Sequence, residues 1–463
     1  MIRIFRVFVP ESVLVLLIAD AILLYASFLV GTFLTMDVDP QVFLRYDNGW
    51  ARIAILVLCV MGGLYFHDLY TNIRIDSKTL LVQQAGVSLG AAFFLQALLV
   101  YLALQELFVP TWTMIAGSSL ALVALPCWRI VYTRAALQAA GSARVLFLGA
   151  SPLVQEICRH WQEHPEKGLV PIGYLDDLEG ESLIPGVPLT GPLSCLKTAV
   201  ERLQPDRIVV GLLDRRNRLP VGQLLELRLS GIQIEDAAST YESTFCRISS
   251  RDLRPAQLIF SAELGPDPKR VTFQSAYSFA IAAIAIAASV PLMILIAILI
   301  KLTSRGPVLF RQKRVGRNGV PFTLYKFRSM VEHAERTSGP VWATKDDPRI
   351  TPLGWWIRKL RLDELPQLFN VLKGEMSIVG PRPERPEFVR ELEKRIPFYM
   401  QRLCVKPGIT GWAQINHKYG DTIEDAIAKL EYDLYYIKNL APALDCLIMF
   451  HTAKVMLLSR GAQ

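Results

Sequence analysis

Residues 271–300 read VTFQSAYSFAIAAIAIAASVPLMILIAILI, a run with no charged side chain. So long an apolar stretch belongs in a bilayer or deep inside a large core. As a straight helix it would reach about 45 Å, well beyond a hydrocarbon core of about 30 Å. Both flanks are basic, with Lys269 and Arg270 before it and Lys301, Arg305 and Arg311 after it. Cations at membrane ends favour the cytoplasmic side, so both ends want the same side. Pro291 lies within the run and removes a rung of the helical ladder. Length, flanks and proline together predict a helix–break–helix over residues 270–301 that enters one leaflet and returns. The competing reading is a fifth tilted span, which would carry the following residues to the other side.

Four further apolar runs precede it, at 11–34 and at about 50–68, 80–106 and 109–131. Their loops alternate in charge. The 35–49 loop carries Asp37, Asp39 and Asp47 against Arg45, and the 69–79 loop carries Arg74 and Lys78. The third loop has Glu106 and no base, and Arg129, Arg134 and Arg144 follow the fourth run. That pattern predicts a four-span domain at 1–135 with both ends in the cytoplasm. A cleaved signal peptide is the alternative for the first run, countered by the three runs behind it. Asp20 is costly in lipid and is expected to face partner helices. The chain is 52% apolar with a net charge of +8. That excess of base suits anionic lipid and an anionic substrate; no basic helix or aromatic platform supports nucleic acid. Seven scattered cysteines without a CxxC pair and six dispersed histidines indicate neither zinc nor a disulfide framework.

At Arg144 the texture changes. VLFLGAS (145–151) reads as a buried strand and tight turn, followed by the helical LVQEICRHWQ. PIGYLD and DRIVVGLL (206–213) read as further strands. Strand–helix alternation predicts a Rossmann-like α/β module at 143–265. The dinucleotide fingerprint requires G-x-G-x-x-G, yet Gly149 is followed by Ala150, Ser151 and Pro152. No Tyr-x-x-x-Lys pair occurs in the module either. A structural or regulatory role is therefore favoured. Residues 264–270 read as a linker.

The stretch RLDELPQLFNVLKGEMSIVGPRPERPEF (361–388) carries the chemistry. Asp363 and Glu364 are adjacent, and Pro366 is tolerated only near a helix start. The two acids are thus expected at a helix N-terminus, where dipole and free N–H groups favour negative charge and phosphate. Arg382 stands between Pro381 and Pro383, which restrict the backbone around it. Its planar fork suits two phosphate oxygens. WWIRKL (355–360) and residues 441–459 are candidate interfacial helices, with core packing as the alternative.

LDELPQLFNVLKGEMSIVGPRP closely resembles the signature of the bacterial sugar transferases called monotopic phosphoglycosyl transferases, which initiate exopolysaccharide and O-antigen assembly. The resemblance extends in order through FRQKRVG (310–316), YKFRSM (325–330), KPGITGWAQIN (406–416) and YDLYYIKN (432–439), covering roughly residues 270–460. It implies a membrane α+β protein: a four-helix transmembrane bundle, a Rossmann-like α/β module, and a mixed α/β catalytic domain at 302–463 with a re-entrant membrane helix. That helix usually breaks at Ser-Pro; here the order is Ser289-Val290-Pro291. The implied reaction moves a sugar 1-phosphate, most simply a hexose, from a UDP-sugar to polyprenyl (undecaprenyl) phosphate at the cytoplasmic face of the bacterial inner membrane. By resemblance Asp363 is the nucleophile forming a phospho-aspartate, and Glu364 assists it in holding Mg²⁺. Arg382 contacts phosphate, with Lys326, Arg328 and Arg358 as further candidates, and Asp433 matches an active-site acid of the family. Bland readings remain beside these: surface or headgroup cations, and a structural salt bridge for Asp433. The family often shows Asn-Gly-Arg where this chain has Asn416-His417-Lys418, which leaves the sugar open. A homodimer is a further open partner. The rivals are a membrane-bound nucleotide-sugar dehydratase, disfavoured by the missing glycines, and a non-catalytic scaffold, disfavoured by the intact acid pair and Arg382.

Overall fold

A computed structural model describes residues 2–4, 7–9, 11–36, 39–70, 77–101, 108–139, 143–177, 183–212, 218–250, 267–331, 349–417, 420 and 422–457. The chain forms two units, Phe8–Asp236 with Met1–Arg3, and Ala237–Gln463 with Ile4–Val7. Five described helices are long and apolar enough to cross a membrane, which makes this a mixed helix-and-sheet membrane protein.

Four of those helices open the first unit: α1 (Glu11–Thr35), α2 (Gly49–Phe66), α3 (Lys78–Tyr101) and α4 (Thr111–Ala139). Leu24 and Phe28 of α1, Leu56 and Val60 of α2, Leu89 of α3 and Leu125 of α4 share one core. Ile22, Leu34, Leu58, Phe94 and Val123 point outward and are exposed, the pattern of helices that meet lipid on one side and each other on the other. A Cβ on Gly31 would press into the backbone at Gly117, so the glycines let α1 and α4 approach closely. Asp20 is fully buried and accepts from Nε and Nη2 of Arg129, at 3.1 and 2.5 Å. Nη1 of Arg129 donates to the carbonyl of Leu69 at 2.9 Å. Asp20 thus faces a partner helix as expected. Arg129 does not act as the flanking cation the sequence suggested; it lies inside α4 and is neutralised there, so only Arg134 and Arg144 mark that end.

The first unit continues into a five-stranded parallel sheet of β1 (Ala143–Leu148), β2 (Leu169–Leu175), β3 (Leu189–Gly191), β4 (Arg207–Val210) and β5 (Gln233–Asp236). The strand order is β3-β2-β1-β4-β5. Helices α5 (Pro152–Glu163), α6 (Leu196–Leu203) and α7 (Val221–Leu229) make the crossovers, and Leu146–Leu148 are buried throughout, as a strand covered on both faces requires. Gly149 turns the chain after β1 with φ +90°. The next amide, Ala150 N–H, donates to Asp176 at 2.9 Å. A side-chain carboxylate therefore takes the backbone donor that a phosphate would use in a dinucleotide-binding turn.

In the second unit α8 (Ala237–Phe245) precedes the long helix α9 (Pro268–Thr303). The helix runs through Pro291 without the expected interruption. A proline deletes only one intrahelical N–H, here the one aimed at residue 287, and its neighbours keep theirs. Val271, Gln274, Ser278 and Ala282 bury near one end of α9, and Met293, Ile296 and Ile300 near the other. Both groups pack on the same domain: Ala282 against Phe322, Leu324 and Leu368, Met293 and Ile300 against Phe327 and Ile357. Its other side exposes Phe279, Ile284, Ile294, Leu295, Ile298 and Leu302. Further elements include the hairpin β6 (Leu309–Val315) and β7 (Pro321–Phe327), α10 (Pro352–Lys359), α11 (Gln367–Leu372), β8 (Ser377–Val379), α12 (Pro386–Arg395), β9 (Gly408–Thr410), α13 (Ile423–Lys438) and α14 (Pro442–Leu457). Trp355 and Trp356 of α10 are exposed, with Lys359 over both rings at 4.7 and 5.6 Å.

Candidate active site

Arg361 ends α10 in the left-handed region, φ 58°. That reversal starts a single tight helical turn, Leu362–Glu364, and Pro366 then opens α11. Asp363 and Glu364 therefore sit on the turn that leads into a helix, where the sequence placed them. Asn370, with no exposed surface, ties α11 to the hairpin. Its Nδ2 donates to the carbonyl of Thr323 and to Glu375, each at 2.7 Å, and its Oδ1 accepts from Tyr325 N–H at 3.2 Å. The register this enforces brings Lys326 over the acid pair. Lys326 Nζ lies 2.8 Å from Glu364 Oε1 and 3.9 Å from Asp363 Oδ2.

Arg382 reaches the same Glu364 oxygen at 3.2 Å. It stands on an irregular loop, yet four consecutive carbonyls of that loop accept hydrogen bonds. Gly408 N–H donates to Pro381 at 2.9 Å and Val315 N–H to Glu384 at 2.9 Å. Arg402 Nη2 donates to Arg382 at 3.0 Å and Arg314 Nη1 to Pro383 at 3.0 Å. A Cβ on Gly408 would fall on the amide of Gly380, so the close pairing of β8 and β9 under the loop requires glycine there.

Burial pushes the Asp363 carboxyl above its ordinary range; Lys326, Arg358 and Arg361 pull the other way, and the neighbouring Glu364 charge adds to the rise. Burial also acts on Glu364, but Lys326 and Arg382 outweigh it and hold this carboxyl below the usual range. Two carboxylates are thus surrounded by Lys326, Arg358, Arg361 and Arg382. Such a site carries surplus positive charge that can attract an anion, with carboxylate oxygens beside it.

The structure brings Asp363, Glu364, Lys326 and Arg382 into contact, with Arg358 within electrostatic reach of Asp363. Two other sequence candidates have buried polar partners of their own. Arg328 is buried and donates through Nη2 to the carbonyl and hydroxyl of Ser304, at 3.0 and 2.7 Å, pinning the end of α9. Asp433 is 1% exposed and accepts from Nε and Nη2 of Arg402, at 2.9 and 2.8 Å. Sequence reasoning missed Arg361, whose only signal was its place before Leu-Asp-Glu, and it missed Arg314 and Arg402, which look like surface cations.

Among the described residues no three His, Cys, Asp or Glu side chains converge on a metal position. Mg²⁺ does not need three: one or two carboxylates suffice when phosphate oxygens and water complete the shell. With Glu364 Oε1 engaged by Lys326 and Arg382, Asp363 and Glu364 Oε2 are the donors that would hold it, so the residues fit.

Comparison with known proteins bears on the same segment. The family described as bacterial sugar transferase matches residues 269–459. A UDP-N-acetylgalactosamine-undecaprenyl-phosphate N-acetylgalactosaminephosphotransferase of Aeromonas hydrophila is 44% identical over 240 residues, 52% of this chain and 56% of the relative. A UDP-glucose:undecaprenyl-phosphate glucose-1-phosphate transferase of Xanthomonas campestris pv. campestris is 36% identical over 319 residues, 67% of this chain and 66% of the relative. An exopolysaccharide production protein of Rhizobium leguminosarum bv. phaseoli is 43% identical over 176 residues, which are 37% of this chain and 88% of that protein. The chain thus spans less than two thirds of the first two relatives and most of the third.

Proposed function

The chain belongs to the bacterial sugar transferase family, and from that premise we propose that it transfers a sugar 1-phosphate from a UDP-sugar to undecaprenyl phosphate, the first step of exopolysaccharide or O-antigen assembly. The observation that carries the reading is the acid pair on one turn, with Lys326 and Arg382 closed on Glu364. In the first half-reaction an Asp363 oxygen attacks the sugar-linked phosphorus, the bond to the bridging oxygen breaks, and UMP leaves with that electron pair. In the second, the phosphate oxygen of the lipid attacks the phospho-aspartate, and the Asp363 carboxylate is released. Splitting the transfer lets a water-soluble donor and a lipid acceptor use one nucleophile in turn. Lys326 and Glu364 orient Asp363, while Arg382 and Arg358 offset the phosphate charge. Mg²⁺, when held by the two acids, supplies further neutralisation of the diphosphate.

The membrane arrangement follows the same reading. Because α9 buries turns near both of its ends against one domain, the unbroken helix lies along that domain, and both of its ends belong on one face of the bilayer. The exposed apolar side of α9 and the Trp355–Trp356 pair then lie at headgroup depth. Helices α1–α4 form the four-span bundle, and the β1–β5 unit is a Rossmann-like module without a nucleotide role. Catalysis takes place on the cytoplasmic face of the inner membrane. The first two relatives named above act on UDP-N-acetylgalactosamine and UDP-glucose by their names, so both sugars belong in the test. Purified protein incubated with a panel of UDP-sugars should release UMP, and Asp363→Asn should abolish release without lipid acceptor. Wild-type turnover by Asp363→Asn would refute the covalent step.

A further inference from the structure

The loop that carries Arg382 has no regular secondary structure, yet its carbonyls at 381, 382, 383 and 384 are bonded from three separate parts of the domain. Two of the four donors are arginine side chains. Arg402 is 5% exposed and uses its fork in three directions: Nε and Nη2 to Asp433, Nη1 to Tyr399 Oη at 2.8 Å, and Nη2 to the carbonyl of Arg382. Arg314 approaches from the other side, on β6, and ion-pairs with Glu384 at 3.7 Å while bonding Pro383. Burying an ion pair contributes little net stability when the same volume could be apolar. A buried Arg–Asp pair whose remaining N–H points at a neighbouring backbone carbonyl is instead suited to fixing where that backbone lies.

We propose that Arg402 and Arg314 are positioning residues that clamp the Pro381–Glu384 backbone and so set the height of the Arg382 guanidinium beside Glu364, with Asp433 acting through Arg402 and not on substrate. This rests on the reading of Arg382 as a donor-phosphate contact. Lysine at 402 keeps the charge facing Asp433, but one ammonium cannot also span Tyr399 and the Arg382 carbonyl. A displacement near 1 Å at a phosphate contact costs about 10²-fold in rate.

The test uses the full-length protein and two readouts. In UMP release, Arg402→Lys should lower kcat about 30- to 100-fold, with KM for the UDP-sugar within about 3-fold of wild type. In an Arg382→Ala background the same substitution should add less than about 3-fold, because the residue it positions is gone. Equal losses in both backgrounds would overturn the proposal. Hydrogen exchange is the second readout: Arg402→Lys and, separately, Arg314→Gln should speed exchange at the amides of Gly408 and Val315, which donate into the loop, and leave the β1–β5 sheet unchanged. Unaltered exchange at both amides would also overturn it. Should wild-type protein release no UMP from any UDP-sugar, the assigned activity fails, while the exchange measurement still decides whether the clamp exists.

Discussion

Asn370 offers a quantitative test of how the acid pair is held against Lys326. Replacing it with alanine removes one acceptor and two donated hydrogen bonds at a site with no exposed surface. The Tyr325 N–H, the Thr323 carbonyl and Glu375 lose their partner. A buried backbone group left without a bond costs about 1–3 kcal/mol, and two such groups belong to one strand. Glu375 can turn toward water and costs less. The expected loss is thus about 2–6 kcal/mol, on the order of 10 °C in the apparent unfolding temperature of a domain of this size. Asn370→Asp distinguishes hydrogen bonding from volume. It keeps the acceptor for Tyr325 but sets a carboxylate against Glu375 and the Thr323 carbonyl, so it should be at least as damaging as alanine. Thermal unfolding of the detergent-solubilised protein, followed in parallel with UMP release, reads both effects. Because Tyr325 adjoins Lys326, rate should fall in each variant even at temperatures where it remains folded. An Asn370→Asp protein that unfolds at the wild-type temperature would show that this triangle does not hold the hairpin to α11.

Two further outcomes test other joints. Full burial lifts the Asp433 carboxyl to about 6, with Arg402 opposing and Glu384 adding to the rise. An acid raised in the folded state takes up its proton there first, so its contribution to stability is present below its ordinary value and is lost as pH rises toward about 6. Between pH 7 and pH 5 the wild-type unfolding temperature should therefore rise relative to that of Asp433→Asn; parallel curves would refute the assignment. In the helical part of the first unit, Asp20→Ala strands Arg129 and should cost about 3–5 kcal/mol. The double replacement Asp20→Leu with Arg129→Met should recover most of it in detergent-stability measurements, and a double variant as unstable as the single would sink the pairing argument.

Sequence legibility divides along one line. Features set by neighbours in the chain were readable: the Asp363–Glu364 turn from adjacent acids before Pro366, the alternation that builds β1–β5, the long apolar helices. The behaviour of Pro291 was less so, since a proline in an apolar run signals one missing hydrogen bond and not whether the helix bends or stops. Arg361 gave no sign of its left-handed backbone, because that conformation is imposed by joining α10 to the acid-bearing turn. The charges whose place the sequence left unsettled share a cause. Arg129 read as the flank of a span, and Asp433 stayed open between a site acid and a structural salt bridge, because a sequence displays a charge without its partner. Asp20 lies 109 residues from Arg129, and Arg402 lies 31 residues from Asp433. In each case tertiary pairing, not local pattern, decides whether the charge faces water, lipid or substrate. A charge expected in a site becomes support for that site once a buried opposite charge claims it, and here the arginine that claims Asp433 is the one that grips the backbone of Arg382.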